Sequence, residues 1–403
     1  MNKRQIIRLG GAALTGACLL VAACDLSVTN PGPLADEALN VPEAMPALVV
    51  GMSADLSVAV GIMIRATSLM SGETAHSGNY ANENWWYAGD FDETHVNDLW
   101  ADMQRARWEA ESGIERMKTV LGSSFETDSL SATAYLLAGF ANRMLGENVC
   151  NAVFDGGPSQ PYTDHFTRAQ SEFSEAIRLA TAQNKTALLN AALAGRASVL
   201  AWQGDWAGAV ADASQVPTSF VYNAIFSTNT NREQNDFAYE TISRREYTVY
   251  NTEWANVVGD PRLPWDTVKT SSGKFQTGQD GVTRFYRQKK YTSLGSNVPL
   301  VKGTEMLVLR AEAALRNSDL TGMTTLINQE RAAYGLAPIA EPATVDDAWP
   351  VLQFERGAVT WLETRRFWDE RRWGAEGLNT FLVGRASCIP ISMNEQMSNP
   401  NLH

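Results

Sequence analysis

Three stretches of the chain share one local plan, and it restricts the fold more than anything else in the sequence. LAGFANRMLGEN (137–148), GRASVLAWQGDW (195–206) and LRAEAALRNSDL (309–320) each place a small residue (Gly139, Ala197, Ala311) seven positions before another (Gly146, Gly204, Ser318). An acidic residue follows the second small one each time. Small residues at helical spacing let two helices approach closely, and the Gly-Asp or Ser-Asp pair is expected to end one helix and cap the next. An Ala-rich second helix, AGAVADASQV, follows the middle copy. The plan is that of tetratricopeptide-like helical hairpins, spaced irregularly instead of in a strict tandem array.

The neighbouring segments agree with a mainly α chain. Short apolar runs over 36–73 predict buried helix. Over 95–122, Leu99, Met103, Ala106, Ala110, Ile114 and Met117 recur at helical spacing, and Gly122 supplies the stop. Residues 218–300 differ: they are rich in Asn, Thr, Ser, Gly and Tyr, with DPRLPW and TSSGKFQTGQDG as turns. This predicts a large loop-rich insertion with minor β-structure between hairpins over about 95–217 and 300–375. Long structured loops tend to be functional surfaces.

The N-terminus gives an address. Lys3, Arg4 and Arg8 precede LGGAALTGACLLVAAC, a short apolar core that CDLSVTNPGP interrupts too soon for a spanning helix. The sequence predicts a secretory signal over 1–23. Its end, LVAAC, resembles the lipobox of bacterial lipoproteins, with Cys24 as the lipidated residue and 24–35 as a polar tether. No later segment reads as long and apolar enough to span a bilayer, so a globular body held on a lipid is expected. The whole chain carries 33 Lys and Arg against 45 Asp and Glu, −12; without the three leader cations the count is 30 against 45, −15. That charge argues against nucleic acid and against direct attraction to anionic lipid. Of four cysteines, Cys18 leaves with the leader and Cys24 takes the lipid. Cys150 and Cys388 remain, and in an oxidising compartment a disulfide between them is expected, with two buried free thiols as the alternative.

Past residue 300 the chain resembles a known family. VPLVKGTEMLVLRAEAALRNSD with LINQERAAYGL, then FERGAVTWLETRRFWDERRWG, then CIPISMNEQMSNPNL, are similar in order and character to the SusD/RagB lipoproteins of glycan-foraging bacteria. DPRLPW and KKYTS fall where that family has landmarks. Two positions depart from its pattern: Thr364 stands where the family has Gly, and Ser392 replaces the second proline of its terminus. The resemblance implies a SusD-like domain over 36–403 and a lipid-anchored outer-membrane protein at the cell surface. It also implies binding of a nutrient, here an oligosaccharide, and a SusC-like TonB-dependent transporter as partner. From the residues themselves, Glu355, Arg356, Glu363, Arg366, Asp369 and Arg372 lie on one helical stretch among aromatics. They are expected to fix helix packing by ion pairs and stacking.

Nothing in the sequence spells catalysis. His-Glu-x-x-His, Gly-x-Ser-x-Gly and a Gly-rich phosphate loop are absent. His76 and His95 flank the acidic run Asp90, Asp92 and Glu93 without metal-ligand spacing, so they are expected to be solvated loop histidines, with no metal and no cofactor. A glycoside hydrolase would need two carboxylates facing each other across a sugar, which adjacency in sequence does not provide. A binding protein that makes and breaks no bond is the expectation. The alternatives are a helical scaffold for protein partners only, or less readily a glycosidase.

One stretch remains, NENWWYAGDFDET (82–94). Three contiguous aromatics cannot share a helix face, and a strand would turn Trp86 away from Trp85 and Tyr87. The Asn-rich surroundings predict a recognition loop, with Trp85, Trp86, Tyr87, Tyr80 and Asn84 as ligand-binding residues: aromatic faces for sugar C–H surfaces, amides for hydroxyls. At most two of the three aromatics are expected to be exposed.

Overall fold

The computed structural model describes residues 36–402. The expected leader (1–23), lipidated Cys24 and tether (24–35) lie outside the described residues. The chain divides into two units, 1–40 and 41–403. The described part of the first holds one 3-10 turn, Asp36–Leu39, and every other described element belongs to the second.

The first helix of that second unit, α1 (Met45–Met70), is apolar on nearly every side. By length and composition it could cross a membrane, contrary to the expectation that no segment after the leader would. A helix apolar all round belongs either in lipid or in a protein core. Here Met52, Leu56, Val60, Met63, Ile64 and Leu69 are buried inside the body. After β1 (Ala75–His76) and α2 (Ala81–Ala88) comes α3 (Asn97–Leu121), which packs along α1. All six residues of the predicted stripe on α3 are buried, and Gly122, at φ 53°, ends the helix.

A row of neighbours follows: α4 (Ser131–Asn148), α5 (Thr163–Ala182), α6 (Thr186–Trp202) and α7 (Trp206–Ala213). Their close approach depends on small residues. A Cβ on Gly139 or Gly195 would lie 2.7 or 2.5 Å from the Phe173 ring, and one on Gly146 would lie 2.6 Å from Phe166. The second and third repeats work as expected. Gly204 (φ 87°) and Ser318 (φ 60°) turn the chain, while Asp205 and Asp319 accept from the N–H of Gly208 and Gly322 at 2.9 and 2.8 Å. The first does not: α4 runs through Gly146 to Asn148, and Glu147 is buried against Arg365 at 3.0 Å.

Between the repeats the chain makes its excursion. The short β2 (Asn151–Ala152) and β3 (Gln160–Pro161) pair before α5. β4 (Val221–Ala224) pairs antiparallel with β8 (Val298–Lys302), which closes the segment between them. Inside it are β5 (Tyr247–Thr248), paired with β1, and β6 (Trp265–Thr267), paired with β7 (Tyr286–Gln288). The remainder is 3-10 turns, a short α-helical turn (Asp236–Ala238) running into a π-helical turn (Tyr239–Arg244), and loop. The hairpin α8 (Gly303–Arg316) and α9 (Leu320–Ala333) then packs with α10 (Val345–Val359), before α11 (Arg366–Ala375) and α12 (Met393–Ser398).

The stretch from Glu355 to Arg372 is not one helix. Between α10 and α11 the chain turns, with Leu362 and Thr364 at φ 57° and 66°. Its charges nevertheless fix packing. Arg356 meets Asp369 at 2.6 Å, Arg372 holds Glu312 of α8 at 2.7 Å, and Lys302 reaches Glu363 at 2.7 Å. The Arg372 guanidinium lies 4.5 Å over the Trp202 ring. Burial alone would raise the Glu312 carboxyl, but Arg372 and Arg316 hold it down at about 2. Thr364, where the resembled family has Gly, explains that Gly: the position requires the left-handed region that a β-branched residue adopts at a cost. Ser392 is accounted for as well, since its hydroxyl caps α12 by accepting from Glu395 N–H. Cys150 and Cys388 are joined, Cα atoms 5.0 Å apart, beside a parallel bridge between Val149 and Ile389.

Two consequences can be measured. Thr364→Gly relieves left-handed strain but removes a buried hydroxyl that accepts from Arg365 at 3.1 Å, so unfolding stability should change by no more than about 1 kcal/mol. Glu73 is fully buried, accepting from Leu362 N–H at 2.6 Å, and burial pushes its carboxyl up to about 7. The folded state therefore holds a proton that the unfolded chain releases above about 4.5, so stability contributed by Glu73 is lost as pH rises from about 4.5 to about 7. Glu73→Gln should add about 1–3 kcal/mol at pH 8 and little at pH 4, read by chemical denaturation at both.

Candidate functional site, an aromatic cleft beside helix α2

The aromatic stretch is a helix, not the expected loop. α2 starts after Tyr80, in extended backbone, and ends at Gly89, whose φ of 73° closes the last turn with N–H bonds to Trp85 and Trp86 carbonyls. Only Glu83 and Trp86 of the eight are buried. Successive residues turn by about 100°, so Trp85 and Tyr87 project to opposite sides of Trp86. Trp86 is a core residue; its Nε1 donates to the His95 carbonyl at 3.1 Å, which removes it from the expected ligand-binding set. Trp85 is 42% exposed and lies on one flank against the His95 ring, centroids 5.0 Å apart. Tyr80, Asn84 and Tyr87 follow one another along the other flank, with Asn84 Nδ2 donating to the Tyr80 carbonyl and Arg244 4.8 Å over the Tyr80 ring. The structure thus divides the five residues among three surroundings.

Tyr87, 38% exposed, lines a cleft of about 460 Å³. The rest of its lining comes from three places: Leu69, Gly72 and Thr74, where α1 ends; Asn251, Thr252 and Glu253; and Phe381 and Arg385. Phe381, 39% exposed, packs on Gly72, where a Cβ would come within 2.9 Å of the ring. Arg385 donates to the Tyr87 carbonyl at 2.8 Å and stacks 5.2 Å from the Phe381 ring. The Ala386 N–H also donates to Gly89 O at 2.7 Å, which fastens this segment to the end of α2.

A second hollow, of about 420 Å³, meets the first at Glu253 and Phe381 and adds Gln353, Arg366, Glu370 and residues 377–380. Arg366 bridges the carboxylates of Glu253 at 3.2 Å and Glu370 at 2.5 Å. Burial pushes the Glu370 carboxyl up to about 7, and both its oxygens are shut off from solvent. Two carboxylates held on one guanidinium, one of them buried, do not face each other across an open gap as glycoside cleavage needs. The arrangement offers two aromatic surfaces and a rim of carboxylate, amide, hydroxyl and guanidinium. Such surfaces are chemically suited to a polyhydroxylated ligand.

Sequence reasoning missed Phe381, Arg385, Asn251, Thr252 and Glu253. They come from segments far apart in the chain, and none carries a local signal. The histidines also differ from expectation. His95 is partly exposed, its Nδ1 2.8 Å from Asp92, while the His76 side chain is only 5% exposed, in β1.

Comparison with known proteins places this architecture. The chain has the fold of the SusD superfamily. A SusD superfamily protein from Bacteroides fragilis matches over 90% of this chain and 98% of its own, with TM-score 0.70 and 14% identity. A SusD-like carbohydrate binding protein from Bacteroides vulgatus matches over 81% and 82%, with TM-score 0.62 and 15% identity. A laminarin binding SusD-like protein matches over 90% and 98%, with TM-score 0.62 and 13% identity. The SusD family model matches residues 287–402. Over those residues the chain carries the sequence pattern of the SusD/RagB family, and the fold extends that likeness to the rest of the described chain. No curated protein sequence matches it.

The two tryptophans of α2 should separate in a stability measurement. Trp86→Ala should cost about 3–5 kcal/mol, the range for a buried aromatic truncated to Ala. Trp85→Ala, with half its surface already wet, should cost about 1 kcal/mol or less. Urea titration of both variants reads the difference.

Proposed function

We propose that this protein is a lipid-anchored, cell-surface binding protein that captures an oligosaccharide and delivers it to a SusC-like TonB-dependent transporter barrel in the outer membrane. The observation that carries the reading is the cleft that Tyr87 and Phe381 both line: two half-exposed rings in one hollow with Glu253, Asn251, Thr252 and Arg385. Sugars present apolar C–H faces to rings and hydroxyls to polar rims, so this pairing of surfaces suits them. Tyr80 and Asn84 extend the same flank of α2, and Trp85 would serve a ligand or partner that reaches round to the other. The carbohydrate-binding and laminarin-binding relatives in fold support the ligand class. Anchoring through Cys24 and the transporter partnership rest on the lipobox and on the likeness to the SusD/RagB family. The role is binding and hand-over, with no bond made or broken.

Isothermal titration of the purified protein with a panel of oligosaccharides, β-1,3-glucans included, tests the reading. One of them should bind, and Tyr87→Ala and Phe381→Ala should each weaken it by about 1 kcal/mol or more while leaving the melting temperature nearly unchanged. Silence across the panel, or affinity indifferent to both substitutions, would sink the assignment and favour a scaffold for protein partners.

A further inference from the structure

Beneath α2, away from the cleft, three metal-ligating side chains converge. His76 comes from β1, Glu83 from α2 and Glu246 from the residue before β5; one donor atom from each lies within 4.8 Å of the others. Two of these donors are without hydrogen-bond partners in a buried setting: His76 Nε2 and Glu83 Oε2. They face each other at 3.7 Å, too far for a hydrogen bond but close to the spacing of two donors on one tetrahedral ion. The side chains are 5% and 1% exposed. Leaving buried donors unpaired is costly, and nearly all such groups in native proteins find a partner.

The surroundings hold these donors in place. The other oxygen of Glu83 accepts from Arg65 at 2.5 Å and from the Tyr247 hydroxyl at 2.5 Å. Glu246 accepts from Arg244 at 2.9 Å and from the Asn79 N–H at 2.9 Å. Room for the Glu246 carboxylate exists only because residue 78 is glycine; a Cβ there would stand 1.5 Å from Glu246 Oε2. The Glu83 contacts are made by the oxygen that does not face the centre, while Glu246 Oε2 accepts the one Asn79 N–H bond and keeps a second lone pair; such contacts orient ligands in metal sites. Charge points the same way. Glu83, Glu246, Glu240 and Asp236 share the neighbourhood with Arg65 and Arg244, four acids against two permanent cations.

We propose that His76, Glu83 and Glu246 form a binding site for one divalent transition-metal ion of the zinc class. One imidazole and two carboxylates suit Zn²⁺ better than the all-oxygen sets that Ca²⁺ and Mg²⁺ prefer, and water completes a tetrahedral shell. Because the donors come from β1, α2 and the approach to β5, the ion ties the ligand-bearing helix to the two-stranded ribbon beneath it.

The test uses the full folded chain, stripped with EDTA and titrated with Zn²⁺ alone. One equivalent should bind, raise the melting temperature and be reversed by EDTA. His76→Gln and Glu246→Gln should each weaken binding at least about tenfold, the usual effect of damaging a site's immediate shell. A second readout needs no variant: of the four histidines, Zn²⁺ should shift the imidazole ¹⁵N resonances of His76 alone, with no shift at His95, at His165 or at His403. Absence of one-to-one binding, a shift at another histidine, or affinity unchanged in folded His76→Gln protein would each overturn the site and leave His76 as a plain buried histidine.

Discussion

Arg372 and Arg356, with the carboxylates they reach, hold the helical units of this protein to one another. Arg372 grips Glu312 of α8 and Asp369 of its own helix; Arg356 of α10 reaches the same Asp369; Arg365 crosses to Glu147 of α4. All of these groups are buried. Buried pairs are poor sources of net stability, because desolvation offsets the attraction. They are strict about geometry, however: removing one partner strands a charge in the core, at a cost of about 3–5 kcal/mol. The consequence is a scaffold whose helices have one acceptable arrangement. The Trp202 ring, lying under both Arg356 and Arg372, adds an apolar face to the same junction.

Much of this scaffold was legible in the chain, and the failures have physical causes. The stripe on α3 is regular because one face alone meets the core, and the aspartates capping α7 and α9 sit where cap chemistry requires them. The break inside 355–372 was invisible because it depends on Leu362 and Thr364 adopting a left-handed backbone, which neither side chain favours. Glu73, from a distant segment, accepts the Leu362 N–H and supports that turn. At Gly146 the same small-plus-acid signature that ends two other helices lies inside the last turn of α4, since Glu147 is claimed by Arg365 instead of by a helix start. Local chemistry proposed a cap; tertiary packing overrode it.

The candidate site was legible only in part. Its aromatic composition stood out, but the helix around it did not, because eight residues rich in Asn and Trp have little helical preference of their own. Gly89, just past Tyr87 and Ala88, was the available signal for a helix end. Phe381 and Arg385, which line the same cleft, lie nearly three hundred positions later, and sequence periodicity carries no information about such meetings.

The segment that carries Phe381 and Arg385 is built in an unusual way. The segment 376–387 begins where α11 ends and stops at Cys388, which is bonded to Cys150 at the end of α4. Between these fixed points it touches the rest mainly through main-chain and long side-chain contacts: Gln353 to the Leu378 carbonyl, Arg385 to Tyr87 and Ala386 to Gly89. Neither anchor depends on which residue occupies position 381. The tip residue is therefore less bound to the fold than the rest of the segment, whose Leu382 and Ala386 pack against the core. It can change identity through drift or deliberate grafting while the helices behind it keep their register, so the shape of the cleft and the foldability of the chain can evolve along separate paths.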